Sequence, residues 1–280
     1  MIRWALILDT ETTGVEETDA CIEVACCLYD LDGAFPMTSY STLMDPRSED
    51  QGGDIGGTEI HGITARMLDR SPHPPMAWTP VVGLAAQADV LVAHNADFDR
   101  RFVPDFGKPW VCTVSDIEWP GKRDSRSLPS LALSLGVGVV SAHRAMADVD
   151  TLVRILNRVA ETHLLVPMFE RALRPKTRFV AVVPSDQSSN ALVKNNGFRW
   201  DDERREWWRK MPMEDVAGLP FNVEPCEISL CRRFVAMLPY EQRQLAKDSG
   251  FAWDGDRREW WRSMQPNVAA CLPFRVVERA

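Results

Sequence analysis

The chain has 280 residues and a mass of 31.6 kDa, more than the roughly 100–150 residues of an ordinary single core, so two domains are expected. It is 45% hydrophobic and 26% charged, which excludes disorder, and a net charge of −8 excludes a strongly cationic nucleic-acid coat protein. No apolar run reaches the roughly 18 residues that a membrane-spanning helix needs.

Residues 2–9 form a near-continuous apolar run, which predicts a central strand buried on both faces rather than a signal peptide. The run ends in Asp9-Thr10-Glu11-Thr12-Thr13-Gly14. Carboxylates two residues apart at a strand end project to the same side, and paired hard oxygens suit Mg²⁺ or Mn²⁺. Taken alone, the same letters also describe a polar turn. Further strands are expected near 22–30 and 35–43, joined by a hairpin at Asp30-Leu31-Asp32-Gly33. Adjacent Cys26 and Cys27 would face opposite sides of the second strand. The seven cysteines show no CxxC spacing and read as free thiols in a reducing cytoplasm. Residues 51–57 are glycine-rich and precede His61; they read as an edge of a substrate cleft or as a tolerated loop.

Val90-Leu91-Val92-Ala93 is another buried strand, leading into His94-Asn95-Ala96-Asp97-Phe98-Asp99. Asp99 then falls at the carboxyl edge of the sheet, where open α/β sheets keep their sites. A parallel strand is expected near 110–114. Ser141-Ala142-His143 precedes an amphipathic helix with the apolar stripe Val149, Leu152, Val153, Leu156 and Val159. Asp148 sits in its first turn and His143 before or at its start. A solitary histidine there is usually a solvated loop residue; the ordered set of five groups singles it out.

Charge divides near Pro175. Residues 1–175 hold 15 Lys and Arg against 25 Asp and Glu, and residues 176–280 hold 17 against 15. Six of the ten tryptophans lie in the second part, which is a tandem duplication. Gly197-Phe198-Arg199-Trp200-Asp201 returns as Gly250-Phe251-Ala252-Trp253-Asp254, and Arg204-Arg205-Glu206-Trp207-Trp208-Arg209 returns as Arg257-Arg258-Glu259-Trp260-Trp261-Arg262, both 53 residues on. Each copy predicts a strand, a helix stopped by glycine, a hairpin (turning at Asp201-Asp202-Glu203 in the first) and a final strand. Two such small units are expected to pack on one another. Strand alternation puts Arg205, Trp207 and Arg209 on one face, and Arg258, Trp260 and Arg262 on the corresponding face of the second copy. An indole between guanidiniums suits stacking on bases while holding phosphates; the alternative is that the tryptophans are core and the arginines pair with acids. The organisation expected is a catalytic domain over 1–165, a linker over 166–177, and repeats over 178–225 and 226–280.

Asp9-Thr10-Glu11, then His94-Asn95-Ala96-Asp97-Phe98-Asp99, then His143 with four residues before Asp148, resembles the three-motif pattern of the DEDDh 3′–5′ exonucleases, relatives of the polymerase III epsilon subunit and of exonuclease X. Ile60-His61-Gly62-Ile63-Thr64 and Trp110-Val111-Cys112-Thr113 fit as well. The resemblance covers about residues 1–160 and leaves the repeats uncovered. It implies an α/β, ribonuclease H-like exonuclease fold, a five-stranded mixed sheet with flanking helices, followed here by two small α+β repeats. It implies two Mg²⁺ or Mn²⁺ ions on Asp9, Glu11, Asp99 and Asp148, with His143 as general base, and release of nucleoside 5′-monophosphates from DNA 3′ ends. Asp97, two residues from Asp99, is expected as a helix-start residue. Thr12, Thr13, His61 and Asn95 are expected near the terminal nucleotide. RNA as substrate, or repeats that recruit protein, are the alternatives; no membrane partner is expected.

Overall fold

The first apolar run becomes the central strand of a mixed sheet. In this computed structural model the described residues are 2–16, 18–47, 55–121, 125–139, 143–184, 186–202 and 204–279. Most of the expected glycine-rich stretch (51–54), the motif residues Ser141 and Ala142, and the turn residue Glu203 lie outside them. The chain divides into two units, Met1–Leu173 and Arg174–Ala280.

In the first unit, β1 (Trp4–Thr12), β2 (Cys21–Asp30) and β3 (Phe35–Leu43) form an antiparallel meander, and β4 (Val90–Ala93) and β5 (Trp110–Cys112) add in parallel, giving the order β3-β2-β1-β4-β5. The hairpin falls where the sequence places it. Asp30 Oδ1 accepts from the backbone N–H groups of Asp32 and Gly33, and its carboxylate pairs with Arg3 at 2.8 Å. The guanidinium of Arg3 holds the Asp30 carboxyl below the usual range.

The pleat sorts the core into two layers. Ile7, Cys27, Val92 and Val111 face one side, against α5 (Leu128–Ser134), α6 (Ala145–Ala160) and α7 (Leu165–Ala172). Leu6, Cys26, Leu91 and Ala93 face the other, against α3 (Pro74–Gln87), which follows the short helices α1 (Thr58–His61) and α2 (Ala65–Leu68). All seven cysteines are free thiols. No described helix is long and apolar enough to cross a membrane.

One expected boundary is corrected. Residues 166–172, read as linker, belong to α7, and Leu165, Phe169 and Ala172 are buried in the first core. Their i, i+4, i+7 spacing is an amphipathic stripe short enough to pass for connecting sequence.

The second unit repeats one fold twice. Its elements are β6 (Thr177–Val182), α8 (Gln187–Asn195), β7 (Arg199–Asp201), β8 (Glu206–Met211) and β9 (Asn222–Pro225), then β10 (Arg232–Ala236), α9 (Arg243–Asp248), β11 (Ala252–Asp254), β12 (Glu259–Met264), α10 (Pro266–Ala270) and β13 (Val276–Glu278). The sheets have corresponding orders, β7-β8-β6-β9 and β11-β12-β10-β13. Gly197 and Gly250 end the helices at φ 81° and 76°, the left-handed cap only glycine adopts without strain. The same ion cluster recurs in each copy: Arg178 pairs with Glu206 and lies over Trp208, and Arg233 pairs with Glu259 and lies over Trp261.

Candidate active site

Asp9 and Glu11 stand near the carboxyl end of β1, flanked by β2 on one side and by the parallel β4 on the other. Their shared side of the strand follows from the two-residue period. The ladder with β2 shifts register between Glu11 and Thr12, and pairing continues with Thr12 opposite Cys21. β4 ends one residue before His94, and Asn95, in left-handed conformation (φ 79°), starts the one-turn helix α4 (Ala96–Asp99). Asparagine tolerates that conformation better than most residues. The turn leaves Asp97 exposed and Asp99 only 2% exposed, which separates two aspartates that the sequence places side by side. Asp99 Oδ1 accepts from the backbone N–H of Thr10 at 3.1 Å and from its hydroxyl at 2.9 Å.

Asp148 arrives from the opposite layer, in the first turn of α6. One oxygen from each of Asp9, Glu11 and Asp148 lies within 4.8 Å of the others. Asp99 stands beside this trio, tethered by Thr10, and its charge acts on Asp9. His143 is exposed, with φ 60°, and its backbone N–H donates to Asp148 Oδ2 at 3.1 Å.

Glu23 has no place in the sequence pattern. It sits opposite Glu11 on β2, is 3% exposed, and takes a two-pronged hydrogen bond from Arg144 at 2.8 and 3.0 Å. Its Oε2 also accepts from the backbone N–H of Ala145, the first residue of α6. The carboxylate therefore caps the helix that carries Asp148 and clamps the residue next to His143. The available signal was Glu23 as the one charged residue inside the strand before its terminal Asp30.

Crowding and burial set the electrostatics. Burial pushes Asp9 well above the ordinary carboxyl range, and the charges of Asp99, Asp148 and Glu11 push it further. Glu11 rises to about 7 through burial and the charges of Asp148 and Glu23. Asp99 rises to about 7 through burial, against the opposing hydrogen bonds from Thr10. Asp148 is raised by burial as well. Such a set holds protons unless cations replace them, and its all-oxygen donors fit Mg²⁺ or Mn²⁺. In the folded, cation-free protein these groups bind more protons than in the unfolded chain between about pH 4 and 7. Their contribution to stability is complete below the unfolded carboxyl range and is lost as pH rises through the folded values. Saturating Mn²⁺ is expected to raise Tm by about 5–10 °C at about pH 8 and by less at about pH 5, where it must displace protons. Thermal melts with EDTA or Mn²⁺ at both pH values check this; equal shifts would contradict it.

The remaining expected residues separate into several kinds. Thr12 is the last residue of β1 and Thr13 follows it, with the Thr12 hydroxyl donating to Gly14 O and the Thr13 backbone N–H to Ala20 O. Asn95 is exposed beside Asp99. His61 is 5% exposed; Nδ1 accepts from the Ile63 N–H at 3.0 Å, so Nε2 carries the proton and donates to Gly56 O at 3.2 Å. Both nitrogens are used within its own loop, which His61 braces. A Cβ on Gly56 would stand 2.1 Å from Thr13 O. Glycine at this position is thus required for the loop to lie against the β1 turn.

In the second unit the strand alternation is corrected. β8 begins at Glu206, and Arg205 and Arg258 occupy the hairpin turns at φ 52° and 53°. Arg209 donates to Asn196 O at the end of α8. Arg262 is 5% exposed, donating to Ser249 O and pairing with Glu224 at 2.7 Å. Both arginines are struts that satisfy helix-end carbonyls. Trp207 and Trp260 lie partly buried on the helix side of their sheets, Trp207 bonded through Nε1 to Asn190.

Residues 6–105 match the exonuclease family profile, and residues 178–226 and 232–278 each match a domain of unknown function. DNA polymerase III subunit epsilon of Treponema pallidum is 30% identical over 171 residues, 55% of this chain and 75% of that protein. The chain belongs to the DEDDh 3′–5′ exonuclease family. Exodeoxyribonuclease 10 of Escherichia coli K12 is 30% identical over 148 residues, 51% of this chain and 62% of that protein. The PolC-type DNA polymerase III of Thermotoga maritima is 30% identical over 166 residues, and this chain spans only 12% of its length. A zinc-bound complex of E. coli exonuclease I with single-stranded DNA shares the fold at a TM-score of 0.51, with 17% identity over 69% of this chain and 50% of that one. Within this DEDDh exonuclease, the profile match contains Asp9, Glu11 and Asp99 and stops before His143 and Asp148.

Proposed function

We propose that the chain is a divalent-metal-dependent 3′–5′ exodeoxyribonuclease that releases nucleoside 5′-monophosphates, with its C-terminal repeats helping to bind nucleic acid. The observation that carries this reading is the meeting of Asp9, Glu11 and Asp148 at the sheet edge with Asp99 beside them. The names of the relatives, a DNA polymerase subunit and an exodeoxyribonuclease, favour DNA.

Asp9, Glu11, Asp99 and Asp148 would hold the cations. When bound, these supply Lewis-acid stabilisation of the phosphate charge and a more acidic water. The four carboxylates keep phosphate oxygens away until cations reverse the local sign. His143, exposed and adjoining Asp148, takes a proton onto a ring nitrogen as the attacking water oxygen bonds to phosphorus. The bond from phosphorus to the 3′ oxygen breaks, and that oxygen takes a proton from solvent to leave as a new 3′ hydroxyl. Thr10 fixes Asp99, and Glu23 with Arg144 fixes the start of α6. Parallel assays on single-stranded DNA, blunt duplex, 3′-overhang duplex and RNA test the reading. Turnover of DNA above RNA is expected; an enzyme that degrades only RNA would overturn the sugar assignment.

Glu23→Gln isolates the clamp. It leaves a group able to accept from Ala145 N–H but removes the ion pair with Arg144. A drop in kcat of about 10-fold with KM nearly unchanged is expected, in the 10- to 100-fold range of outer-shell support. Steady-state kinetics beside a thermal melt check it. Loss of fold without a kcat effect at lower temperature would make Glu23 purely structural.

A further inference from the structure

We infer that the C-terminal unit carries its own binding site for an unpaired nucleobase, in the tryptophan-lined cleft between the two repeats. This rests on the nuclease reading above and adds a site outside the carboxylate cluster.

The cleft has a volume of about 570 Å³, within the range of small-molecule pockets. Its walls include Trp200 and Trp207 from the first repeat and Trp253 and Trp260 from the second, with Arg205 and Lys247 beside them. The indoles form two matched pairs. Trp200 meets Trp207 at a centroid distance of 5.5 Å and an interplanar angle of 61°, and Trp253 meets Trp260 at 5.4 Å and 56°. Rings inclined this steeply leave at least one face of each uncovered by its pair partner. The outer members, Trp200 and Trp253, remain 42% and 44% exposed, against the ordinary tendency of tryptophan to be largely buried.

The inner indoles are the rigid part. Trp207 is fixed by Asn190, and Trp260 lies under the Lys247 ammonium at 5.7 Å. Arg205 Nη1 donates to Trp253 O across the repeat boundary at 3.1 Å, and the Arg262–Glu224 pair also crosses it. The cleft is therefore a product of tandem packing, which one copy alone would not form. Among the described residues its one carboxylate is Glu206, already paired with Arg178.

Aromatic faces beside cations that no acid among the described residues of the cleft offsets fit the chemistry of a base with its phosphate. An unpaired base is specified because bases within a duplex spend their faces on one another. Neither Trp200, Trp253 nor Lys247 stood out in the sequence, although Trp200 and Trp253 recur in the Gly-Phe-x-Trp-Asp motif.

The test uses the full chain with Asp9→Asn in EDTA, so that oligomers stay intact. Fluorescence anisotropy is measured with labelled oligo(dT), oligo(rU), a blunt duplex and a proline-rich peptide, the last because aromatic grooves also take such peptides. Combined Trp200→Ala and Trp253→Ala is expected to weaken binding of the unpaired oligomers on the order of 10²-fold, from stacking losses of about one decade each. Combined Trp200→Phe and Trp253→Phe should retain most of the affinity, and duplex binding should change little. The oligo(dT) and oligo(rU) arms show which sugar is preferred. Lys247→Glu, which removes no aromatic surface, is expected to weaken binding several-fold and stands in should the double alanine chain melt early. Unchanged oligomer binding in these variants, an equal loss on blunt duplex, or capture of the peptide instead of the oligomers would overturn the inference. Inactivity of the unmutated enzyme on every 3′ end would instead reject the nuclease reading.

Discussion

Asp9→Asn is expected to lower kcat by at least about 10³-fold while making the cation-free protein more stable. The two effects have one cause. Asp9 is partly buried among Asp99, Asp148 and Glu11, and burial together with their charges raises its pKa. Without cations at about pH 8 that crowding is unfavourable, and a neutral amide relieves it. With cations, the missing carboxylate removes a ligand, and Lewis-acid stabilisation worth about 4 kcal/mol corresponds to on the order of 10³ in rate. A melt in EDTA should show a higher Tm than the unmutated chain, and Mn²⁺ should no longer raise it appreciably. A variant that loses activity because it unfolds would show the opposite order of melting temperatures.

His143→Ala has the second-largest expected effect, a fall in kcat of about 10²- to 10⁴-fold, the range for a lost general base. His143 is not among the three groups whose oxygens converge, so Mn²⁺ should still raise Tm. The residue sits at φ 60°, where alanine is strained and asparagine is tolerated. His143→Asn keeps the backbone conformation and removes the imidazole. Equal loss in both variants assigns the effect to the ring; recovery in the asparagine variant would assign it to the backbone, whose N–H holds Asp148.

The catalytic sheet was legible because its information is local and periodic. Apolar runs at 2–9 and 90–93 identify the buried parallel pair, and the spacing of Asp9 to Glu11 and of His143 to Asp148 survives as geometry. Supports that act across the fold were less so. Glu23 reaches Arg144 from 121 residues away, and Thr10 holds Asp99 from 89 away. Gly56 looks like loop composition until its contact with Thr13 O is seen. In the repeats, alternation was a poor guide to function: the hairpin starts one residue later than its arginines suggest, and Arg209 and Arg262 turn inward to hold helix ends. The duplication itself was plain, as was its glycine-capped helix. The open indoles were present in the repeated motif, but their exposure is set by how the two copies pack.

The most direct measurement follows a 5′-labelled single-stranded DNA over time with the unmutated chain in Mg²⁺. A ladder shortening from the 3′ end is expected, with nucleoside 5′-monophosphates as product, abolished by EDTA and by Asp9→Asn. Cleavage that persists in EDTA or in Asp9→Asn, or a first product cut from the interior of the strand, would contradict a carboxylate-held metal site acting at DNA 3′ ends.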